Sequence, residues 1–207
     1  MAEIIKKRDK ISKEAGKTFN VIITGTGGQG LITLLDIITE AAVSQGLDVK
    51  TSELHGLSQR GGSINTHIRI GEKVHSPLVA LGSADLVLSL EILESLRVIN
   101  YANSETISLI NRYSVPFIGT IPEKETEDKI NKLVKGKKYV IPAAEICQKE
   151  LGKDVVAGIY LLSYASFKKM LPLKPESILK AIFNRIPQKY LDLNVKAFKL
   201  AEKYANK

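Results

Sequence analysis

The chain has 207 residues, of which 44% are hydrophobic, and this length suits one globular domain whose core needs no cross-links. Its single cysteine, Cys147, excludes a disulfide framework and, within this chain alone, a cysteine-ligated iron–sulfur cluster or structural zinc site. The net charge of +8 lies in residues 1–18 and 161–207, aromatic residues are few, and no RNA-binding or zinc-finger motif occurs, so we expect no nucleic-acid partner.

The N-terminal segment, residues 1–18, is basic and has no hydrophobic stretch of the signal-peptide type. No apolar run in the chain approaches the roughly 18 residues that a membrane helix needs. We therefore expect a cytoplasmic protein that does not contact a membrane. In this interpretation residues 1–18 form a mobile extension, and residues 19–207 form a single domain.

The first half of this domain shows a strand, a glycine-rich loop, a helix and a second strand. Residues 19–24, "FNVIIT", are typical of a buried strand, and residues 31–46 are typical of a helix buried on most of its circumference. Residues 47–54, "LDVKTSEL", indicate the second strand, so the segment predicts one βαβ unit with a right-handed crossover. After a polar loop, residues 64–70 alternate between apolar and polar side chains, which predicts a strand exposed on the side that includes His67.

The second half adds strands and then a helical C-terminal segment. Apolar runs predict strands at residues 84–90, 106–111 and 139–142, the first of them continuing into a helix. From Val155 onward the pattern is helical, and Pro175 opens one of these helices. The fold class is therefore α/β, a Rossmann-like layered fold with a mostly parallel or mixed sheet and a helical C-terminal segment.

The glycine cluster "GTGGQG", residues 25–30, has a strand before it and a helix after it. Glycines let the backbone turn sharply, and the free N–H groups at a helix start favour phosphate or carboxylate. Glu53 lies near the position where a dinucleotide fold keeps an acid for the ribose. Two interpretations stay open: an anion-binding loop, or glycines that only allow close packing of the strand and the helix.

A second polar loop, "SELHGLSQRGGS", covers residues 52–63. Arg60 could present its guanidinium group to a phosphate or to a carboxylate of a partner, beside exposed backbone N–H groups. Alternatively, Arg60 pairs with Glu53 and fixes the loop. The three histidines show no metal-binding spacing, Cys147 lies on an apolar helix face that indicates a core position, and no nucleophile is paired with a base, so we predict no catalytic residue and no metal ligand.

Taken together, the two loops carry a family resemblance. "GTGGQG" followed by "SELHGLSQRGGSINTHIRIGEKVHSPLVALGSADLVLSLEILESLR" resembles the gamma-type domain of 2-oxoacid:ferredoxin oxidoreductases, most of all the indolepyruvate ferredoxin oxidoreductase beta subunit. "DVVAGIYLLSYAS" and "NVKAFKLA" are similar to the family's C-terminal elements, so the resemblance covers the chain from Phe19 onward. The family's C-terminal element commonly ends near a glycine, and this chain has Ala201 at that place.

The resemblance implies that the chain is a subunit of an enzyme that decarboxylates a 2-oxoacid, transfers the acyl group to coenzyme A and reduces ferredoxin. Thiamine diphosphate, magnesium and iron–sulfur clusters are expected on a larger partner subunit, because this chain has no thiamine diphosphate motif and one cysteine. The isolated chain could form a homodimer. The residues expected to contact the partner or coenzyme A are Gly25, Gly27, Gly28, Gln29, Gly30, Ser58, Gln59, Arg60, Gly61 and Gly62.

Two alternatives stay open at this stage. One is a free-standing nucleotide- or coenzyme A-binding protein, which would carry its ligand through purification. The other is a non-catalytic scaffold subunit, which would bind its partner tightly and bind no ligand. The sequence does not separate them.

Overall fold

The computed structural model describes residues 18–55, 62–115 and 122–206. Within these residues the chain forms a six-stranded sheet, seven α-helices and a short 3-10 helix at Ile99–Tyr101. The strands are β1 Phe19–Thr26, β2 Asp48–His55, β3 Ser63–Gly71, β4 Leu86–Ser89, β5 Ile107–Asn111 and β6 Lys137–Ile141. The helices are α1 Leu31–Ser44, α2 Ile92–Arg97, α3 Glu123–Leu133, α4 Ala143–Leu151, α5 Ala157–Phe167, α6 Pro175–Arg185 and α7 Gln188–Ala205. The predicted α/β class and the helical C-terminal segment are confirmed.

The sheet is mixed and has the strand order β2-β3-β1-β4-β5-β6. Strands β1, β4, β5 and β6 are parallel, whereas β3 runs antiparallel to both of its neighbours, β1 and β2. The predicted βαβ unit is present in chain order, and β1 and β2 run in the same direction. They are not adjacent, because β3 folds back as a hairpin partner of β2 and lies between them.

The helices cover the two faces of the sheet unequally. The larger core joins β1 residues Val21 and Ile23 and β4 residues Leu86 and Leu88 to helices α1, α4, α5, α6 and α7. The opposite face carries two smaller clusters, in which Ile22 and Ile110 pack against residues from the segments around α2 and α3. Each fully buried large side chain in these clusters contributes about 1.5–3 kcal/mol relative to an exposed one.

Helix α1 is buried on most of its circumference, as predicted. Its buried residues are Leu31, Leu34, Leu35, Ile37, Ile38, Ala41 and Ala42. Helix α5 packs closely against it, because a Cβ atom on Gly158 would lie 3.1 Å from Leu34 Cδ1. Cys147 has no exposed surface, which confirms that it is a core residue. Burial raises the pKa of its thiol to about 12.

The prediction that β3 is exposed on the side of His67 is wrong. His67 is only 2% exposed, because the chain after β3 crosses this face of the sheet. The Val79 N–H donates to His67 Nδ1 at 3.1 Å. The His67 and Tyr101 rings also contact each other in an edge-to-face arrangement. On the same face, Arg69 Nε donates to Asn20 Oδ1 at 2.9 Å. Burial lowers the pKa of His67 below its ordinary value.

The expected N-terminal extension, residues 1–18, lies outside the described residues except for Thr18. Among the helices in the described part of the chain, none is long and apolar enough to cross a membrane.

Candidate functional site

The chain reverses its winding direction between β1 and β4. After β1 it passes into α1 on the larger core side of the sheet, and after β4 it passes into α2 on the other side. In open α/β sheets such a point leaves a crevice outside the carboxyl ends of the two strands, where ligands bind. Cavities of about 500, 320 and 390 Å³ open at this position.

The first glycine loop, Gly25–Gly30, forms the centre of this crevice. Gly28 and Gly30 have φ angles of 99° and 78°, a left-handed conformation that other residues adopt at a cost. Gln29 closes the loop, because its Oε1 accepts a hydrogen bond from the Thr26 N–H at 2.8 Å. A Cβ atom on Gly25 would lie 2.6 Å from this same Oε1, so Gly25 leaves the space that the Gln29 side chain occupies.

The N-terminus of α1 opens into the crevice. Its cap residue is Gly30, which offers no side-chain hydrogen bond, and its first turn contains no acidic residue. The N–H groups of the first turn therefore have no side-chain acceptor of the usual capping kind, and the helix dipole favours an anion there. Thr33 and Asp36 line the adjoining cavity, so the same surface carries one carboxylate that limits the affinity for anions.

The structure brings the two glycine clusters together at Gly62. The Gly27 N–H donates to the Gly62 carbonyl oxygen at 3.0 Å. The predicted site residues Ser58, Gln59, Arg60 and Gly61 lie outside the described residues, so the alternative of an Arg60–Glu53 pair stays a prediction. Glu53 itself lies on the edge strand β2, two strands from β1 and therefore roughly 10 Å away across the sheet, so it does not stand beside the glycine loop as a ribose-binding acid would.

Two buried acids at the start of α2 belong to the same crevice and were not predicted from the sequence. Glu91 is 2% exposed and caps α2, because its carboxylate accepts from the Glu94 N–H at 2.9 Å. It also accepts from the Val115 N–H at 3.3 Å, while burial raises its pKa above the ordinary value. Glu94 is 5% exposed and accepts from Ser63 Oγ and, at 2.9 Å, from Arg97 Nε.

The largest of these three cavities, about 500 Å³, lies between α1, α5, α6 and α7 and begins at the glycine loop. Its wall is mostly apolar, and Val155 and Tyr190 are 69% and 51% exposed at its edge. Asn194, from the C-terminal segment "NVKAFKLA", is 8% exposed and lines the same wall. Its Nδ2 donates to the Tyr190 carbonyl oxygen at 2.8 Å. The crevice therefore combines backbone N–H donors with an adjoining apolar cavity.

A metal centre has no ligand set in the described residues, because no three His, Cys, Asp or Glu side chains converge there. His67 is held in the sheet by Val79 and Tyr101, well away from the glycine loop in the strand register.

The chain has relatives that align with it over most of both sequences. The chain is 35% identical to the indolepyruvate oxidoreductase subunit IorB of Thermococcus kodakarensis, over 91% of this chain and 96% of that protein. It is 38% identical to the subunit of the same name from Archaeoglobus fulgidus, over 87% and 92%. The pyruvate/ketoisovalerate oxidoreductases common subunit gamma of Pyrococcus abyssi is 27% identical, over 84% and 89%.

Solved structures show the same fold. The gamma subunit of a keto/oxoacid ferredoxin oxidoreductase from Geobacter sulfurreducens superimposes with a TM-score of 0.68 at 22% identity, covering 91% of this chain and 98% of that one. A 2-oxoglutarate:ferredoxin oxidoreductase from Magnetococcus marinus superimposes with a TM-score of 0.70 at 18% identity, covering 92% of this chain and 31% of the other. Residues 20–204 match the family described as pyruvate ferredoxin/flavodoxin oxidoreductase, and the chain belongs to this family.

Proposed function

We propose that this chain is the smaller subunit of a 2-oxoacid:ferredoxin oxidoreductase whose substrate is an aryl pyruvate of the indolepyruvate type. The complex oxidatively decarboxylates the 2-oxoacid, transfers the acyl group to coenzyme A and passes the electrons to ferredoxin. One observation carries the substrate assignment. The identity is 35% and 38% to relatives named for indolepyruvate, and 27% to the relative named for pyruvate and ketoisovalerate.

The redox cofactors belong, in this proposal, to a larger partner subunit. An iron–sulfur cluster needs several thiolate ligands, whereas this sequence has one cysteine, and that thiol is buried with a pKa of about 12. The described residues offer no group of carboxylates for magnesium and thiamine diphosphate. The described residues do not fit these groups, and we assign the groups no step in the chemistry here.

The crevice supplies binding and orientation. The N–H groups at the α1 N-terminus and the glycine loop suit the phosphates of coenzyme A, and the adjoining cavity of about 500 Å³ offers room for the chain attached to them. The proposed residues are those of the two glycine clusters: Gly25, Gly27, Gly28, Gln29 and Gly30 in the first, and Ser58, Gln59, Arg60, Gly61 and Gly62 in the second. The hydrogen bond between Gly27 and Gly62 supports their joint action.

The first test is reconstitution. The purified chain is mixed under strictly anaerobic conditions with the candidate thiamine-bearing subunit, and 2-oxoacid-dependent reduction of ferredoxin or a viologen dye is followed with and without coenzyme A. We expect activity only on mixing, and higher kcat/KM for indolepyruvate and phenylpyruvate than for pyruvate. Activity with pyruvate alone would contradict the substrate assignment, and the absence of both complex and activity would contradict the function.

The second test concerns coenzyme A. Arg60→Ala should raise the KM for coenzyme A on the order of tenfold and leave the KM for the 2-oxoacid unchanged, because one charged hydrogen-bond donor is removed. Lys50→Ala is the matched control, since Lys50 lies in the first half of β2, toward the opposite end of the strand from the crevice. An unchanged KM for coenzyme A in the Arg60 variant would count against this contact.

A further inference from the structure

Glu91 and Glu94 lie one turn apart at the start of α2, and the proposed function assigns no role to either of them. Their exposed fractions are 2% and 5%. A buried carboxylate is costly unless hydrogen bonds compensate it, so the contacts of these two side chains indicate what they hold in place. Each of them binds a segment that borders the crevice.

Glu94 connects α2 to the second glycine cluster. Its Oε2 accepts from Ser63 Oγ, and its Oε1 accepts from Arg97 Nε at 2.9 Å. Ser63 directly follows Gly62, whose carbonyl oxygen accepts from the Gly27 N–H at 3.0 Å. A continuous path of hydrogen bonds and one peptide unit therefore runs from the Glu94 carboxylate to the glycine loop.

Glu91 holds the other side of the same cavity. Its Oε1 accepts from the Val115 N–H at 3.3 Å, and its Oε2 accepts from the Glu94 N–H at 2.9 Å. Thr26, Gly62 and Val115 line a cavity of about 390 Å³ next to these carboxylates. Glu91 thus fixes the backbone of Glu94 and one wall of the crevice together.

We propose that Glu94 is a positioning residue, whose contact with Ser63 fixes the Gly62 carbonyl group and thereby orients the Gly27 N–H of the glycine crevice. In this proposal Glu94 acts through Ser63 and Gly62, and the role does not require it to contact a ligand. The proposal rests on the proposed function for what the crevice binds. The geometry that it concerns is contained in this chain and can be measured without a partner.

A glutamate suits this role better than a neutral side chain. Its two oxygens are both acceptors, and each one meets a donor, from Ser63 and from Arg97. Glutamine in its place presents one acceptor and one NH₂ donor, so one of the two contacts is lost or reversed. Hydrogen bonds to an ionised carboxylate are also stronger than those to an amide.

The first experiment uses the isolated chain and measures amide hydrogen exchange by NMR in wild type, Glu94→Gln and Ser63→Ala. We expect the Gly27 amide to exchange roughly tenfold faster in each variant, because the local opening free energy falls by the net contribution of about one hydrogen bond. Amides in the centre of β1 should keep their protection. The double variant should exchange no faster than Glu94→Gln alone, because both substitutions break the same link.

Arg97→Gln is the matched control. It removes the charged donor to the other carboxylate oxygen and leaves the Ser63 contact in place, and the Arg97 side chain is 62% exposed. We expect the Gly27 exchange rate of this variant to stay within about twofold of wild type. An equal acceleration in Arg97→Gln, or an unchanged rate in Glu94→Gln and Ser63→Ala, would overturn the proposal. Ser63→Ala keeps the test decisive if Glu94→Gln does not fold.

The second experiment uses the assembled complex. Glu94→Gln should lower kcat/KM for coenzyme A by roughly tenfold to a hundredfold, as small misplacements of a binding group do, and should leave complex formation and the KM for the 2-oxoacid unchanged. A wild-type complex without activity would refute the proposed function, while the exchange result would still decide the positioning role. If the wild-type complex is active and the Glu94→Gln complex has the same kcat/KM for coenzyme A, the functional part of the inference is refuted.

Discussion

Gly30 and Gly46 flank helix α1 and form a matched pair for testing the glycine crevice. Their φ angles are 78° and 74°, and a Cβ atom on either residue would meet no atom within 4 Å. An alanine at each position therefore meets the same backbone strain and no steric clash. Only Gly30 lies in the crevice, because Gly46 follows the C-terminal end of the helix.

The left-handed conformation costs a non-glycine residue about 1–2 kcal/mol, and the lower entropy of the unfolded alanine chain offsets part of this. We expect both Gly30→Ala and Gly46→Ala to lose about 1 kcal/mol of unfolding free energy. For a protein of this length, that loss lowers the melting temperature by about 2–4 °C. The functional effects should differ, because relaxing the φ angle of Gly30 rotates the peptide units that present N–H groups to the crevice.

The assay compares thermal unfolding of the two isolated variants and then their steady-state kinetics in the assembled complex. Both should show equal losses of melting temperature, and only Gly30→Ala should lower kcat/KM for coenzyme A, by roughly tenfold or more. Equal kinetic losses in both variants would show that activity follows stability. If Gly30→Ala has the same kcat/KM for coenzyme A as wild type, the assignment of the α1 N-terminus as a binding element is refuted.

Three further predictions concern buried groups. Because burial lowers the pKa of His67, the native state loses stability as the pH falls below 6.5. In denaturant titrations between pH 8 and 5.5, His67→Gln should therefore lose less unfolding free energy than wild type. An equal pH dependence in the two proteins would contradict this. Cys147, with its pKa of about 12, should not react with a thiol reagent at pH 8 in the native chain and should react with one equivalent after unfolding; rapid native labelling would contradict its burial. The Tyr160 hydroxyl is buried and has no hydrogen-bond partner among the described atoms, so Tyr160→Phe should leave the melting temperature unchanged or raise it; a marked decrease would indicate a bound water.

The six strands and most of the helices were predictable from the sequence, because their signals are local, whereas α3 was not predicted. The strand at β1, the buried helix α1 and the C-terminal helices each follow from runs or periods of apolar residues. The position of β3 between β1 and β2 was not predictable in the same way. Its alternating pattern indicated a strand, but the choice of neighbours in a sheet depends on contacts that are distant in sequence.

The burial of three polar residues was also not predicted from the sequence. His67 alternates with isoleucines and was predicted to be on an exposed face. Val79, in the irregular segment after β3, and Tyr101, in the 3-10 helix, cover it instead. Glu91 and Glu94, in "SLEILES", resemble charges on a solvated helix. They are buried because α2 begins at the carboxyl end of β4, beneath the chain at Gly62 and Val115.

The strand pairing explains why Gly62 lies beside the first glycine cluster in space. The antiparallel pairing of β1 with β3 places Thr26, at the end of β1, opposite Ser63, at the start of β3. Gly27 and Gly62 are the next residues outward on each side, and the hydrogen bond between them extends the strand pairing into the crevice. Because this bond joins two main-chain groups next to the strand pairing, the sheet register helps to set the position of Gly62 relative to the first glycine loop. A substitution that shifts the register of β3 should therefore impair the crevice even if every proposed binding residue is retained.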